Sequence, residues 1–241
     1  MCTIKEFKDK INQQLQESIE QEQAYVQKYK DEGDQIEYWE TGIDPTKETK
    51  EVVVCFTGRR PKDLAGYVKE NYEILFYMVV DKLKELINQY HTQHPEYNFN
   101  FKFITGGAQG FDQLAFWAVN KLKEDDTISN IVYVPFTGQE KKWKEQGLFS
   151  QEEYNLMLKK ADKVEYLEGE LSDYSTVVKA LYARNHRMVD DSNVVIALYP
   201  DDSWNENQKS GTAECMRYAV KEGKKVWQWK YIISNNKIML V

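Results

Sequence analysis

Residues 103 to 115 read FITGGAQGFDQLA: an apolar run, three glycines at 106, 107 and 110, then an aspartate where a helix begins. Gly106, Gly107 and Gly110 can adopt φ > 0 and let a ligand approach the backbone closely. The helix behind them offers free N–H groups and a positive dipole end, which suit a phosphate. The spacing is neither GxGxxG nor the Walker A pattern, and a plain strand-to-helix turn wants the same small residues. Asp112 either complements the helix dipole or accepts hydrogen bonds from ribose hydroxyls. It would repel a phosphate set against it, so phosphate and sugar belong on different sides of the loop.

Other stretches carry compatible chemistry. Thr57-Gly58-Arg59-Arg60 offers two guanidiniums with the bidentate geometry that phosphate takes, or a surface turn whose arginines pair with acids. Ser210-Gly211-Thr212 begins a helix, where a hydroxyl is either an N-cap or part of an anion site. Gln139 and Trp143 follow another apolar run, and the indole has the shape to stack on a base. Arg184 and Asn185 interrupt the apolar stripe Val177, Leu181 and Met188 of one helix. A buried guanidinium or amide must find partners there.

These residues need elements to hold them. VVVCF, FNFKFIT, IVYVPF, KVEYL, NVVIALYP and KKVWQW read as strands, separated by helical stretches including QLAFWAVNKLK, YSTVVKALYARNHRM and TAECMRYAVKEG. A long helix is expected from TGRRP to about Tyr90, and shorter ones over roughly 139–161. Strands alternating with helices predict an α/β fold: a Rossmann-like parallel sheet with helices on both faces. In such sheets ligands bind at the carboxyl ends of the strands, where the residues above lie. Residues 1–50 differ: they hold no arginine, and 7 lysines against 12 acids. Ile4, Phe7, Ile11, Leu15 and Ile19 recur at helical spacing. The expected division is an N-terminal helical extension and linker over 1–50 and a Rossmann-like domain over 51–241.

Composition narrows the classes. The 241 residues are 41% hydrophobic and 29% charged, with a net charge of −7, which disfavours a nucleic-acid backbone as partner. No apolar run approaches the ~20 residues that cross a bilayer, and MCTIKEFKDK lacks a signal-peptide core. Cys2, Cys55 and Cys215 fit no disulfide framework or zinc knuckle, and His91, His94 and His186 have no metal spacing. A cytoplasmic protein without metal, cofactor or membrane contact is expected. The amphipathic N-terminal helix is compatible with a homo-oligomer.

TGRRP, TGGAQGFDQLA, PFTGQEKKW, YNLMLKKADKV, RNHRMVDDSNVVIAL and SGTAECMRYAVKEGKKV together resemble, in order, the SLOG superfamily over about residues 51–230, closest to its YpsA-like and phage or mobile-element branch. The resemblance implies a Rossmann-like domain that binds nucleotides or nucleotide-derived signals, as a sensing or regulatory module. Thr57, Gly58, Arg59, Arg60 and Ser210-Gly211-Thr212 would then hold phosphate, with Arg184 and Asn185 beside them. Gly106, Gly107 and Gly110 would permit close approach and Asp112 would hold ribose. Gln139 or Trp143 would address the base. Two relatives imply alternatives. LONELY GUY phosphoribohydrolases split a base from ribose 5′-phosphate with an arginine-bearing helix and PGGxGTxxE; Arg184 and Gly211-Thr212 resemble parts of that pattern. Their glutamate falls here on Cys215, so N-glycoside hydrolysis would pass to Glu214 or Asp112. DprA, whose glycine loop resembles GGAQGFDQLA, implies single-strand DNA binding.

Overall fold

The computed structural model describes residues 43–123, 127–144, 146–169, 171, 173–206 and 208–241. Asp44–Val241 forms one compact unit. The expected helix at residues 4–19 lies outside the described residues.

Its centre is β1, Thr49–Gly58. This strand begins two residues inside the stretch read as linker, and it passes from exposed to buried as it advances. It is paired on both sides in parallel register, with Val54 opposite Phe103 of β2 (Asn98–Thr105) and Phe56 opposite Ile196 of β5 (Val194–Leu198). A strand covered on both faces and both edges must be apolar throughout, which is what VVVCF supplies. With β3 (Ile128–Val134), β4 (Lys163–Tyr166) and β6 (Lys225–Trp229) the sheet runs β4-β3-β2-β1-β5-β6. The order steps outward from β1 to β4, then returns to the far side of β1. That reversal opens a crevice between the carboxyl ends of β1 and β5.

Helices α1 (Glu73–Gln93), α2 (Phe111–Leu122) and α3 (Gln151–Lys160) cover the outward steps and pack in succession. After the return crossover, α4 (Tyr174–Asp190) and α5 (Gly211–Lys221) pack on each other. Right-handed crossovers put these two groups on opposite faces.

Three departures from the sequence reading have local causes. The long helix starts only at Glu73, because Pro61 and Gly66 confine the preceding chain to 3-10 turns at Pro61–Asp63 and Lys69–Tyr72. The helical stretch over 139–161 breaks into two 3-10 turns before α3, with Gly147 at φ +50 and Ser150 capping Glu153 N at 3.1 Å. Beyond β6 the chain adds an unanticipated hairpin, β7 (Tyr231–Ser234) and β8 (Lys237–Leu240). Asn235 and Asn236 turn it at φ 49 and 62, the left-handed pair that a tight hairpin asks of Asn. No helix among the described residues is long and apolar enough to cross a membrane.

Candidate functional site

The crevice is closed at its base by the start of α5. Thr212 Oγ1 donates to Gly58 O at 2.7 Å, and Ser210 caps the helix by accepting from Ala213 N at 3.4 Å. Both hydroxyls are thus engaged by the protein, while the first-turn N–H groups retain the helix's positive end. Arg59 lies over Tyr199, 5.3 Å from the ring centroid, with Nη2 3.4 Å from Asp63. Its Nε is buried and has no hydrogen-bond partner among the described residues.

The glycine loop answers mainly to the protein's own packing. A side chain on Gly58 would stand 2.5 Å from Phe111, and one on Gly110 would stand 2.5 Å from the backbone oxygen of Arg59. Gly107, at φ +64, faces Tyr154, Met157 and Val132 of the core. Thr105 Oγ1 donates to the Asp112 carbonyl at 2.9 Å, and Gln113 reaches Gly107 O at 3.2 Å. The small residues are required by close packing within the fold, against side chains at Gly58 and Gly107 and against backbone at Gly110.

Gly106 is different. The space where its side chain would be holds the Arg184 guanidinium, with Nη1 1.5 Å from the ideal Cβ position. Arg184 is 4% exposed, and its Nε donates to Asn185 Oδ1 at 3.0 Å. Nη1 lies 3.8 Å from Asp112 Oδ2, an ion-pair distance too long for a hydrogen bond, and it has no other partner among the described residues. Asn185 Nδ2 continues the chain of contacts to Gly211 O at 3.4 Å. Arg184, Asn185 and Gly211 therefore join the glycine loop to the start of α5.

Asp112 is buried beneath this chain, and Ala108 N donates to its Oδ2 at 3.3 Å. Burial pushes its carboxyl above the usual carboxylate range, against the pull of Arg184 and Arg60. Burial likewise lowers Arg60, which feels Asp112 as a favourable and Arg184 as an unfavourable neighbour. Two guanidiniums thus face one carboxylate, leaving a local positive excess. Asp112 organises the loop's own amides, those of Ala108 and Gly106.

Gln139 and Trp143 brace the loop from behind. Gln139 donates to Tyr154 Oη at 2.7 Å and lies 3.5 Å from Gly106 O. Trp143 packs edge-on to Tyr154, 5.2 Å between centroids.

A polar seam went unread in the sequence. His186 Nε2 and Glu214 Oε1 are 2.5 Å apart, and the imidazole stacks on Tyr218 at 3.8 Å. Tyr218 in turn donates to Asp190 at 2.9 Å. The signal was the pair of helical spacings, 186 with 190 and 214 with 218, which put these residues on single faces of α4 and α5. Glu214 Oε2 is buried with no hydrogen-bond partner among the described residues. Cys215, one residue on, points into the core with Cys55. Burial raises both thiols, Cys55 to about 12, so neither is a nucleophile at neutral pH.

The loop between β5 and α5 is held in place too. Arg217 donates to the carbonyls of Trp204, Glu206 and Gln208 at 2.7, 3.0 and 3.2 Å. A separate open groove of about 430 Å³, with Val53, Ile104, Ile131 and Tyr133 among its lining residues, contains none of these site residues. Among the described residues no cluster of His, Cys, Asp and Glu is arranged to hold a metal ion.

Comparisons with known proteins find relatives of this sequence. The chain is 34% identical over 160 residues to the uncharacterized SPbeta prophage-derived protein YoqJ of Bacillus subtilis (strain 168), covering 61% of this chain and 85% of that one. A solved putative transcriptional regulator from Clostridium difficile 630 is 11% identical with a TM-score of 0.17, over 78% of this chain and 52% of the other. A family model for YpsA matches residues 54–232, most of the compact unit and the carboxyl ends of β1 to β6. The chain belongs to the YspA SLOG family.

Proposed function

We propose that this protein binds a nucleotide or nucleotide-derived small molecule in the crevice at the carboxyl edge of β1, β2 and β5, as a sensing or regulatory module. The observation that carries the reading is Arg184 Nη1: a buried cationic donor with no hydrogen-bond partner among the described residues, pressed against Gly106 and ion-paired at 3.8 Å with Asp112. A buried donor left unpaired costs roughly 1–3 kcal/mol, and an anionic oxygen would recover it. Arg60 and the first-turn amides of α5 would add to the attraction for phosphate. SLOG membership supports a nucleotide-related role.

The test is thermal stabilisation and calorimetry of the full chain with nucleoside mono-, di- and triphosphates. A ligand at 100 times its dissociation constant should add ~2.7 kcal/mol. Arg184→Lys keeps the charge and loses the planar fork, so it should weaken binding about tenfold or more. An unchanged affinity in that variant would exclude this site.

A second reading, N-glycoside hydrolysis of a nucleotide, is favoured by one feature, the unpartnered inner oxygen of Glu214. Release of free base from nucleoside monophosphates, abolished by Glu214→Gln, would establish it. Binding without release would leave the sensing role standing.

A further inference from the structure

Arg184 Nη1 is committed to Asp112 before any anion arrives. The two groups lie 3.8 Å apart, and no described residue hydrogen-bonds Nη1. That distance supports charge attraction and is too long for a hydrogen bond. Arg184 Nε is engaged elsewhere, by Asn185 Oδ1 at 3.0 Å. One guanidinium therefore serves as counter-ion to a buried carboxylate and as the donor that an incoming anion would take.

Asp112 has little else to hold its charge. Ala108 N donates to its Oδ2 at 3.3 Å, and Arg60, just after β1, is the other cation that it feels. Cys55 of β1 is the remaining titratable group against it, and burial pushes that thiol up to about 12. The groups that feel Arg184 in turn, the Cys215 thiol of α5 and the Tyr154 phenol of α3, are also raised by burial. None of these three changes charge between about pH 5 and pH 9. Asp112, whose carboxyl burial already holds above the usual carboxylate range, is the group in this cluster that can.

An anion bound to Arg184 would act on Asp112 in two ways of the same sign. Its negative charge repels the carboxylate, and it draws off the guanidinium that offsets burial. Both favour the protonated form. Linkage is reciprocal: if the anion raises the affinity for a proton, the proton raises the affinity for the anion by the same factor.

We infer that anion binding in the crevice takes up a proton at Asp112, so that the site reads anion and acidity together. The inference rests on the anion-binding reading of the crevice and adds its regulation. The proton comes from solvent and adds to a carboxylate oxygen. With Asp112 protonated, Arg184 and Arg60 face the anion without an opposing charge. Binding is then tightest at low pH and weakens as pH rises through the range in which Asp112 ionises.

The experiment is calorimetry of the full chain with sulfate, which stays a dianion throughout, in buffers of different ionisation enthalpy between about pH 5 and pH 9. Wild-type affinity should fall about tenfold or more across this range, the effect of displacing one ionisation by one unit. Where the fall is steepest, about half a proton should be taken up per anion. Asp112→Asn is neutral at every pH, so it should keep the low-pH affinity throughout and take up no proton. His186→Gln, which removes the imidazole two residues along α4, should behave as wild type. In wild-type protein carrying isotope-labelled aspartate, the infrared difference spectrum on adding sulfate should gain the band of a protonated aspartic acid. That readout needs no variant to fold, and a merely structural aspartate would not move it. If sulfate binds without proton uptake, or Asp112→Asn takes up the same proton, the coupling is wrong and the crevice reading stands. If sulfate does not bind, adenosine 5′-monophosphate replaces it, its own ionisation cancelling between wild type and Asp112→Asn. If neither binds, the reading of the crevice fails and the coupling fails with it.

Discussion

Asp112 is the residue on which the electrostatics of the loop turn. Its folded-state proton affinity is raised above the ordinary value by burial, with Arg184 and Arg60 pulling the other way. The folded protein then binds this proton more tightly than the unfolded chain. Its contribution therefore favours folding below about pH 4 and is lost as pH rises through the raised folded value. Asp112→Asn removes the term, so wild-type stability relative to that variant should decline as pH rises from the ordinary carboxylate range through the raised folded value in urea unfolding. A difference that stays flat would mean that the arginines fully compensate burial. Gly106→Ala probes the same balance from the other partner. Its methyl would occupy the position of the Arg184 guanidinium, a side-chain end that can swing aside. Asp112 would lose its nearest compensating charge, and the variant should be less stable at neutral pH by roughly 1–3 kcal/mol. That deficit should shrink toward low pH, where Asp112 is protonated in both proteins. Neither effect is legible in the sequence, which presents Asp112 only as a dipole partner or a ribose contact. Arg184, 72 positions away in the chain, declares itself only through the fold.

At the level of elements the sequence was more informative. The strands announced themselves because a central parallel strand must be apolar on both faces: β5 is buried throughout, and β1 is buried over its second half from Val54 to Thr57. The helices showed their apolar stripes, and the glycines marked the turns. What the pattern withheld was the reason for each glycine. Gly110 has φ +97, and a side chain there would stand 2.5 Å from Arg59 O, a backbone atom that cannot move alone. Gly223 has φ +68 with nothing within 4 Å. Alanine at 223 thus meets strain alone, at about 1 kcal/mol, whereas alanine at 110 meets strain and collision, at about 2 kcal/mol or more. Chemical denaturation should rank Gly110→Ala clearly below Gly223→Ala. Gly110→Ala should also weaken ligand binding, since Arg59 and Arg60 are set by that contact, whereas Gly223→Ala should not. Equal losses in the two variants would mean that the β1 and β2 loops are not in firm contact. His186 and Glu214 show the opposite limit of legibility. Their helical spacings were visible, but helix faces find one another only when the chain returns across the sheet.

For the whole molecule, the part least foreseen is the C-terminal hairpin, because its strands are four residues each and carry no strong alternation. The family match ends at residue 232, before β8, yet Ile238 is fully buried and Tyr231 and Leu240 nearly so. β8 packs along α1 and the turn before it, and Tyr231 Oη donates to Asp63 O at 3.0 Å. Asp63 is the residue that pairs with Arg59, so the hairpin supports the first strand end as well as α1. Burying three such side chains contributes about 1.5–3 kcal/mol each, a sum comparable with the whole stability of a typical domain. Removing residues 231–241 should therefore lower the unfolding temperature steeply or abolish a cooperative transition. Ile238→Ala, a gentler change, should cost about 2–5 kcal/mol without altering ligand affinity, because its contacts lie on the α1 side. Asp63→Ala is the complementary change. It leaves the backbone carbonyl that Tyr231 uses and removes only the carboxylate on Arg59, so it should alter ligand affinity with little loss of stability. If the truncated chain melts like the full one, the hairpin is an ornament and the coupling through Asp63 does not exist.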